Sequence, residues 1–408
     1  TGAIRTMVNL HRDDDGRLTE TYNYAVARKA NPGSVFKAAT LMTCIEDGYV
    51  RSLDDVIPSN HGFFGRFEQD RHIVDYEREN HATEVPILYG LSVSSNYVFR
   101  YLAVKNYGNN PEKFLDRLYT YKFGEPYADF DLDGMAAPAM LKPDTPGWSG
   151  TALGSIAIGY SVEETPMHIL TFYNAIANKG RMMKPYLVEG FEKNGMTVEK
   201  RGPSELVATI CKKATADTLT RGLMAVTDKG GTASLRLGKA KVKVAGKTGT
   251  SRSTLTEEEA PGFGGQDHDA LGRKKNNATF VGFFPAEAPE YSMIVVAYSK
   301  LSGNSFYGGT IPAQTVRDVV DKIYAIESGK QEVLHQNSRV PDMKAEAGEK
   351  PEPGIVPDVK GMGIQDAIFA IENAGYRCSY TGVGHVRTQS PAAGSKANER
   401  TTIQLTLK

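Results

Sequence analysis

The pattern of apolar and polar positions predicts helices and strands along the first 326 residues. The strongest helical pattern is an apolar segment from about Ser34 to Asp47, directly after the chain break at Pro32-Gly33. Further helices are predicted near 84–107, 111–121, 165–178, 212–226 and 311–326. Strands are predicted near 241–249, 278–284 and 292–298, and a hairpin with strands at 4–10 and 21–27 is predicted around the polar turn HRDDDGR.

This order of elements indicates an α+β fold, because strands occur at both ends of the region and helices lie between them. We expect one antiparallel sheet, closed by the first and last strands, flanked by helices and accompanied by a helical lobe. In the segment 34–47, apolar residues such as Phe36, Leu41 and Ile45 surround the helix axis. That distribution predicts a buried helix.

A linker and a small module are predicted after residue 326. The apolar signal fades from 327 to 354, where EKPEPG is charged and rich in proline. In 355–408, a helix is predicted from Ile364, Ala367, Ile368 and Ile371, which recur with helical spacing. Gly375 would end that helix, and strands follow, the last near 402–407. The predicted domains are therefore 1–326, a linker at 327–354, and 355–408.

Composition excludes several classes of function. The chain has 408 residues, with Lys plus Arg equal to Asp plus Glu at 48 each, so it carries no charge signature of a nucleic-acid binder. Its three cysteines form no C-x-x-C and argue against a disulfide framework or a thiolate zinc site. No apolar run reaches the length of a membrane-spanning helix. The start, TGAIRTMVNL, predicts a strand without a leader, so we expect the chain to begin inside a larger protein.

Three short motifs carry the candidate chemistry: SVFK at 34–37, SSN at 94–96 and KTGT at 247–250. Together they match the S-x-x-K, S-x-N and K-T-G set of serine acyl-transferases that react with penicillin. Each motif alone is weak, since a bare S-x-x-K arises by chance about once or twice in a chain of this length. A second S-x-N at Ser302-Gly303-Asn304 illustrates this. Order and spacing make the set specific.

The first motif supplies a nucleophile and a base. An alcohol such as Ser34 needs an adjacent base to attack at neutral pH, and Lys37 lies three residues further on. Lys37 can be that base only when it is neutral. Burial and a nearby cation both lower the pKa of a lysine, and Lys247 is the candidate cation. The alternative is an ordinary Ser-Lys pair on the protein surface. The position of Lys37 in an apolar helix disfavours that alternative, because an unpaired buried ammonium is costly.

The other two motifs supply groups for proton transfer and substrate binding. Ser94 could relay the proton from Lys37, and Asn96 could hold Lys37 or a substrate amide, although a helix cap is the commoner use of these residue types. In the third motif, the amine of Lys247 and the hydroxyls of Thr248 and Thr250 would bind a carboxylate. Gly249 would let a substrate backbone lie close. The N–H groups of Thr250 and Ser34 would form an oxyanion hole.

Three competing sites fail on sequence grounds. A phosphate-binding P-loop needs a glycine where this chain has Lys241. A calcium loop beginning at Asp13 needs a glutamate at its twelfth position, which is Tyr24. A metal site at Asp267, His268 and Asp269 is disfavoured because consecutive side chains diverge. We therefore expect neither a metal nor a cofactor.

With the motifs in place, residues 1–326 closely resemble the transpeptidase domain of class B penicillin-binding proteins, most of all the septum-building, division-specific group. The likeness extends to the segments PGSVFK, SSNYVF, AIGYSVEETP, AIANKGRMMKPYLV, AGKTGTS and ATFVGFFPAEAPEY, in the family's order. Residues 355–408, with IVPDVKGM and AIFAIENAGY, resemble a PASTA module. The resemblance implies the β-lactamase/DD-peptidase fold.

The resemblance also implies a reaction. Ser34 would be acylated by a D-Ala-D-Ala stem peptide and would pass the acyl group to an amine of a neighbouring peptide, which cross-links peptidoglycan. Lys37 would be the general base, Ser94 and Asn96 the relay and positioning pair, and Lys247, Thr248, Gly249 and Thr250 the carboxylate and oxyanion side. β-Lactams would acylate Ser34.

Relatives of this kind act on lipid-linked or nascent glycan at the outer face of the bacterial cytoplasmic membrane. They carry a single N-terminal anchor and work with a divisome glycosyltransferase, and we expect both here. Two departures from the family pattern are noted: His168 stands where a glutamine is usual, and the segment 251–277 is long and charged.

Two other functions use the same motifs. A class A β-lactamase has S-D-N as its middle motif and deacylates with the glutamate of an E-x-x-N sequence, whereas this chain has S-S-N and no E-x-x-N between 97 and 246. A non-catalytic penicillin-binding sensor or division scaffold would have a vestigial site. The complete set of motifs favours the transpeptidase.

Overall fold

The computed structural model describes residues 1–326 and 354–408, apart from 14, 129, 195, 254–274, 300–306, 363–366, 369, 372–373, 383–384 and 399–400. The chain divides into two compact units, Thr1–Ser338 and Arg339–Lys408. Most of the predicted linker, 327–353, lies outside the described residues, so its bounds remain a prediction. No helix in the described part of the chain is both long and apolar enough to cross a bilayer.

The helices of the first unit follow the predicted pattern in most places. They are α1 Tyr24–Ala27, α2 Lys37–Glu46, α3 Arg71–Asn80, α4 Ile87–Ser92, α5 Asn96–Tyr107, α6 Pro111–Thr120, α7 Ala152–Ile156, α8 Pro166–Ala177, α9 Lys213–Thr227, α10 Ser234–Leu237 and α11 Ile311–Ile326. Short 3-10 helices cover Gly33–Phe36 and Asn60–Gly62. The single helix predicted at 84–107 is wrong: Glu84–Pro86 is a strand, and two helices follow with a break at the SSN motif.

The strands are mostly short. They are β1 His11–Arg12, β2 Leu18–Thr19, β3 Val56–Pro58, β4 Glu84–Pro86, β5 Ala139–Met140, β6 Val162–Glu163, β7 Met182–Met183, β8 Gly190–Lys193, β9 Met196–Lys200, β10 Glu205–Val207, β11 Ala245–Ser253, β12 Lys275–Phe284, β13 Tyr291–Tyr298, β14 Arg377–Thr381, β15 Val386–Ser390 and β16 Thr402–Leu407. Of these, β11, β12 and β13 form the antiparallel sheet that carries KTGT.

Helices cover both faces of this sheet. Thr279 of β12 pairs with Gly249 on one side and Val296 on the other. The face that carries Thr279 meets α8 beside a small cavity lined by Ile169. Phe284, five positions further along the strand, points to the opposite face, where its ring lies 6.4 Å from that of Tyr324 in α11. The result is a helix–sheet–helix arrangement, with the helical lobe beside it.

Helix α2 lies in the core, as predicted. Its side chains from Lys37 to Cys44 are all buried. It packs against α5, α6 and α9, which belong to the helical lobe. The lysine of the first motif therefore begins a helix that is enclosed by the core.

The prediction that the first strand closes the sheet is wrong for the described residues. Residues 4–10 form no strand there; Ala3 makes an isolated bridge with Tyr186. The reason is local, because side chains bind backbone groups that a strand ladder would need. Glu20 accepts the N–H of Asn9 at 2.7 Å, and the Asn9 side chain accepts the N–H of Ala25 at 3.0 Å.

The predicted hairpin is likewise wrong in its strands, although the chain does reverse at HRDDDGR. Strand β1 is the first two residues of that sequence and β2 directly follows it, and the stretch Tyr24–Ala27 is helical instead of extended. At the other end of this segment, the guanidinium of Arg28 lies 4.2 Å from the ring centroid of Tyr298 in β13. The N-terminal segment thus contacts the sheet through side chains.

The second unit has its own apolar core. Strand β16 lies between β14, which is parallel to it, and β15, which is antiparallel. Alternate residues Ile403, Leu405 and Leu407 face inward, as the period of a strand requires. Ala367 and Ile371 of the predicted helix are buried against them, whereas Ile364 lies outside the described residues.

Removal of residues 354–408 is expected to leave the unfolding of the first unit unchanged, because each unit has a separate apolar core. Differential scanning calorimetry of 1–353 should give a melting temperature within about 2 °C of the matching transition in the full chain. A fall of more than about 5 °C would show that the second unit is an integral part of the first.

Candidate active site

The first motif forms one turn of 3-10 helix that leads into α2. The N–H of Lys37 donates to the carbonyl of Ser34, which closes this turn. Because a 3-10 helix has three residues per turn, side chains at positions i and i+3 lie one above the other. Ser34 and Lys37 therefore share one side of the helix. Ser34 is partly exposed, whereas Lys37 has no exposed surface.

The amine of Lys37 is held by the second motif. Its Nζ lies 2.6 Å from the carbonyl oxygen of Ser94, 3.2 Å from Ser94 Oγ and 2.8 Å from Oδ1 of Asn96. All three partners are uncharged. The structure thus joins four of the residues singled out in the sequence: Ser34 and Lys37 share a turn, and Ser94 and Asn96 contact Lys37.

The electrostatic environment of Lys37 disfavours its charged form. Burial lowers the pKa of Lys37 well below its ordinary value, and the nearby charges of Lys247 and Arg100 lower it further. Asp70 acts in the opposite direction. An amine that is neutral at physiological pH retains a lone pair, which is the requirement for a general base.

The SSN motif is both a pair of helix caps and a binding site for the amine. After α4, the N–H of Ser94 donates to Leu91 and that of Ser95 to Gly90, the pattern of a Schellman C-cap. Ser94 occupies the left-handed position of this cap, with φ of +62°, where glycine is usual. Ser95 then caps α5, since its side chain accepts the N–H of Val98. The helix-cap alternative is correct for Ser95, while Ser94 and Asn96 face Lys37.

The third motif lies on β11, beside the first. Lys247 is fully buried, and its Nζ donates to the carbonyl of Thr248 at 3.1 Å. Burial lowers the pKa of Lys247 to about 7. A substrate carboxylate placed next to this amine would favour its charged form.

The threonines of this motif differ in exposure. Thr248 is 6% exposed, and its hydroxyl is 2.6 Å from that of Thr232. Thr250 is partly exposed, and its hydroxyl accepts the N–H of Gly308 at 3.4 Å. Thr250 therefore offers the more accessible hydroxyl.

Gly249 has a packing role in the structure, and its expected contact with a substrate backbone stays a prediction. A Cβ on Gly249 would lie 2.9 Å from Val35 and 3.2 Å from the carbonyl oxygen of Pro32, both within two residues of Ser34 in the chain. A Cβ on Gly308 would lie 2.6 Å from the carbonyl oxygen of Gly249. The glycine therefore allows the turn that carries Ser34 to pack against β11, and its hydrogen faces protein atoms.

Three residues that contribute to the site were not predicted from the sequence: Thr232, Gly308 and Asp70. Thr232 contacts the third motif by its hydroxyl, and its N–H donates to the carbonyl of Ser92 at the end of α4, just before the second motif. Gly308 packs on Gly249. Asp70 binds the start of α5. Only Asp70 has a sequence signal, since an aspartate directly before the helical residues 71–80 is a typical N-cap.

Comparison with known families agrees with this geometry. A sequence model described as "Penicillin binding protein transpeptidase domain" matches residues 1–321, and the PASTA domain matches 354–408. The chain belongs to the penicillin-binding protein transpeptidase family. It carries a PASTA domain at its C-terminal end. Both resemblances seen in the sequence are confirmed.

Two curated relatives show how low the sequence identity is between this chain and other members of the family. Penicillin-binding protein 2A of Bacillus subtilis is 27% identical over 332 residues, which is 78% of this chain and 43% of the relative. Penicillin-binding protein PbpB of Mycobacterium tuberculosis is 26% identical over 309 residues, 71% of this chain and 41% of the relative. The chain therefore spans less than half the length of these relatives.

A solved penicillin-binding protein structure confirms the fold. Penicillin Binding Protein 2X from Streptococcus thermophilus aligns with a TM-score of 0.58 and 17% identity, and the alignment covers 95% of this chain and 53% of that one. The expected β-lactamase/DD-peptidase type of α+β fold is therefore correct.

The two departures from the family pattern have different outcomes. His168 is buried at the start of α8, where its Nε2–H donates to the carbonyl of Glu125 at 2.9 Å. Its Nδ1 then accepts from the hydroxyl of Thr165 at 2.8 Å. Burial lowers the pKa of His168 to about 4, so the side chain is neutral. Most of the segment 251–277 lies outside the described residues, as do Asp267, His268 and Asp269.

A buried carboxyl lies behind the nucleophile. Glu164 pairs through its backbone with Ala30, four residues before Ser34, and its Oε1 accepts the N–H of Gly124 at 2.7 Å. Its Oε2 is buried and has no hydrogen-bond partner in the described part of the chain. The side chain borders a cavity of about 30 Å³. Burial raises the pKa of Glu164 to about 8.

This raised pKa makes the stability of the unit depend on pH. From pH 4.5 to about 8 the folded chain keeps the Glu164 proton, whereas the unfolded chain releases it, so stability falls as pH rises. Each unit of pKa difference corresponds to about 1.4 kcal/mol. Glu164→Gln should therefore be more stable than the parent protein at pH 8.5, with a much smaller difference near pH 5.

Urea unfolding at the two pH values measures this effect. Glu163→Gln is the matched control, because Glu163 is a neighbouring carboxylate that is partly exposed and paired with Lys29. A Glu164→Gln effect equal at both pH values would mean that the folded and unfolded chains bind the same number of protons at this residue.

Proposed function

We propose that this chain is the catalytic part of a serine D,D-transpeptidase that cross-links peptidoglycan stem peptides through an acyl-enzyme on Ser34. The family match supports the class of activity. The observation that carries the proposal is the buried amine of Lys37, bonded to Ser94 and Asn96 and one helical turn from Ser34. In this arrangement the proposed base would lie one helical turn from the proposed nucleophile and in contact with the proposed proton relay.

The hydrogen bonds of Lys37 suit its proposed role as a base. A neutral amine has two N–H donors and one lone pair. The two shortest contacts, to the Ser94 carbonyl and to Asn96 Oδ1, use the two donors. The lone pair remains for a hydroxyl proton, either that of Ser34 or, at 3.2 Å, that of Ser94.

In the proposed reaction, the Ser34 hydroxyl loses its proton to Lys37 as Oγ attacks the carbonyl carbon of the penultimate D-Ala. The bond to the terminal D-Ala breaks, and the proton passes through Lys37 and Ser94 to the departing amine. An amine of a second stem peptide then attacks the ester carbonyl and releases Ser34 with its proton restored. Neither step requires a metal or a cofactor.

The substrate side is proposed on β11. The terminal carboxylate would bind Lys247 and the hydroxyls of Thr248 and Thr250. The oxyanion would accept hydrogen bonds from the N–H groups of Ser34 and Thr250. The close packing of their two segments supports this, since a Cβ on Gly33 would lie 3.0 Å from the Thr250 carbonyl oxygen. The N–H of Ser34 belongs to a first helical turn, which offers it no intrahelical acceptor.

The cellular role is proposed from the resemblance. A septal transpeptidase of this kind would act at the outer face of the cytoplasmic membrane, held by a single N-terminal anchor, on lipid-linked or nascent glycan. Its partner would be a divisome glycosyltransferase, and β-lactams would be covalent inhibitors of Ser34. For the PASTA domain we propose a binding or spacer role.

A fluorescent penicillin tests the reaction and separates it from the alternatives. The full chain should acquire a long-lived label that mass spectrometry maps to Ser34, and Ser34→Ala should show background labelling. Ser149→Ala, an exposed serine, is the control and should label normally. Rapid loss of label would instead indicate a β-lactamase, and no label a scaffold. Transfer of a stem-peptide acyl group to an added amine would then distinguish a transpeptidase from a sensor.

Lys37→Met should reduce the rate of penicillin acylation by roughly 10²–10⁴-fold, because it removes the general base while keeping an apolar chain of similar length. The protein should remain folded, since a buried amine is replaced by an apolar group. Stopped-flow labelling and near-ultraviolet circular dichroism measure the two quantities. The exposed Lys105→Met on α5 is the control. Normal acylation by Lys37→Met would exclude Lys37 as the base.

A further inference from the structure

The SSN turn is held from its outer side by one carboxylate. Oδ2 of Asp70 accepts the Ser95 hydroxyl at 2.8 Å and the N–H of Tyr97 at 3.0 Å. Its Oδ1 accepts the N–H of His72 at 3.1 Å, which caps α3. A single side chain thus connects the first turn of α3 to the first turn of α5.

These contacts place Asp70 at the N-terminus of α5, where backbone N–H groups lack intrahelical acceptors. Ser95 Oγ accepts the N–H of Val98, and Asp70 accepts that of Tyr97. A negative charge is also favourable at this end of a helix. Asp70 is hydrogen-bonded to Ser95. Ser95 lies between Ser94 and Asn96, and both of these contact Lys37.

Asp70 is itself held by a strained segment. Asn60, His61 and Gly62 have φ values of +44°, +50° and +71°, in the left-handed region. The N–H of Asp70 donates to the Gly62 carbonyl at 3.0 Å, and the Asn60 amide donates to the Tyr97 hydroxyl at 3.0 Å. Such backbone strain persists only where the surroundings over-determine it. The segment therefore fits closely around the start of α5.

We propose that Asp70 is a positioning residue for acylation of Ser34: its carboxylate fixes Ser95 and the start of α5, and so keeps Ser94 and Asn96 against Lys37. This inference rests on the proposed function of the site. Asp70 acts through the SSN turn and makes no contact with the reacting atoms.

Asp70 has a second effect, which depends on its charge. Among the charged groups that act on Lys37, Lys247 on β11 and Arg100 on α5 lower its pKa, whereas Asp70 raises it. Loss of the Asp70 charge should therefore lower the pKa of Lys37 further. Loss of the Ser95 hydroxyl breaks the same hydrogen bond without changing any charge. The two substitutions separate positioning from electrostatics.

The experiment compares the full chain with Asp70→Asn, Ser95→Ala and the double variant, using the rate of fluorescent-penicillin acylation between about pH 5 and about pH 9. We expect each single variant to lose roughly tenfold to hundredfold. The double variant should be no slower than the slower single variant, because both changes break one contact. The acidic limb of the pH profile should move to lower pH in Asp70→Asn and in the double variant, and remain in place in Ser95→Ala.

Asp75→Asn on α3 is the matched control, since Asp75 is half-exposed and bonds Arg78 outside the site. It should acylate at the parental rate. Parental acylation by a folded Asp70→Asn would overturn the proposal. It would also be overturned if the two losses of acylation rate multiplied in the double variant while the acidic limb of its pH profile stayed in place. If Asp70→Asn does not fold, a parental rate in Ser95→Ala overturns it. Absence of Ser34 labelling in the parent chain would instead refute the proposed function.

Discussion

Within the part of the chain that the structure describes, the first unit is organised around a buried amine to which no carboxylate is bonded. Lys37 has zero exposed surface, and its hydrogen-bond partners are a carbonyl, a hydroxyl and an amide oxygen. Burial of a charged ammonium among neutral acceptors is costly, so this environment favours the neutral amine. The burial of this amine therefore links the packing of α2 in the core to the chemistry proposed for the site.

That constraint also explains why distant segments meet at one point. The amine needs acceptors that α2 itself does not offer, and the break between α4 and α5 supplies them. The break is stabilised independently of Lys37 by a Schellman cap on one side and by the Ser95 cap on the other. A rigid turn can present its acceptors without reorganisation, which is the property that a preorganised site requires.

The sequence predicted those parts of the site that depend on local chemistry. The helix after Pro32-Gly33, its buried lysine and the start of α11 at Ile311 follow from apolar spacing, and the structure agrees. The parts it missed depend on long-range contacts. The sequence around Gly249 does not indicate that this residue packs against Val35. Asp70 lies in a polar and aromatic segment whose residues show no clear helical or strand period. The predicted hairpin was wrong because Glu20 and Asn9 bind backbone groups through their side chains, which periodicity does not reveal.

Position 94 must meet two requirements: a left-handed backbone and a hydroxyl that reaches Lys37. Helix geometry would be best served there by glycine, which adopts positive φ without strain, but glycine has no hydroxyl to offer Lys37. Asparagine and aspartate tolerate this conformation better than most residues, yet aspartate would bring a charge against a lysine proposed to be neutral. Folding and chemistry therefore restrict this position in opposite ways. Glycine, the substitution that would best relieve the backbone strain, also removes the hydroxyl that contacts Lys37.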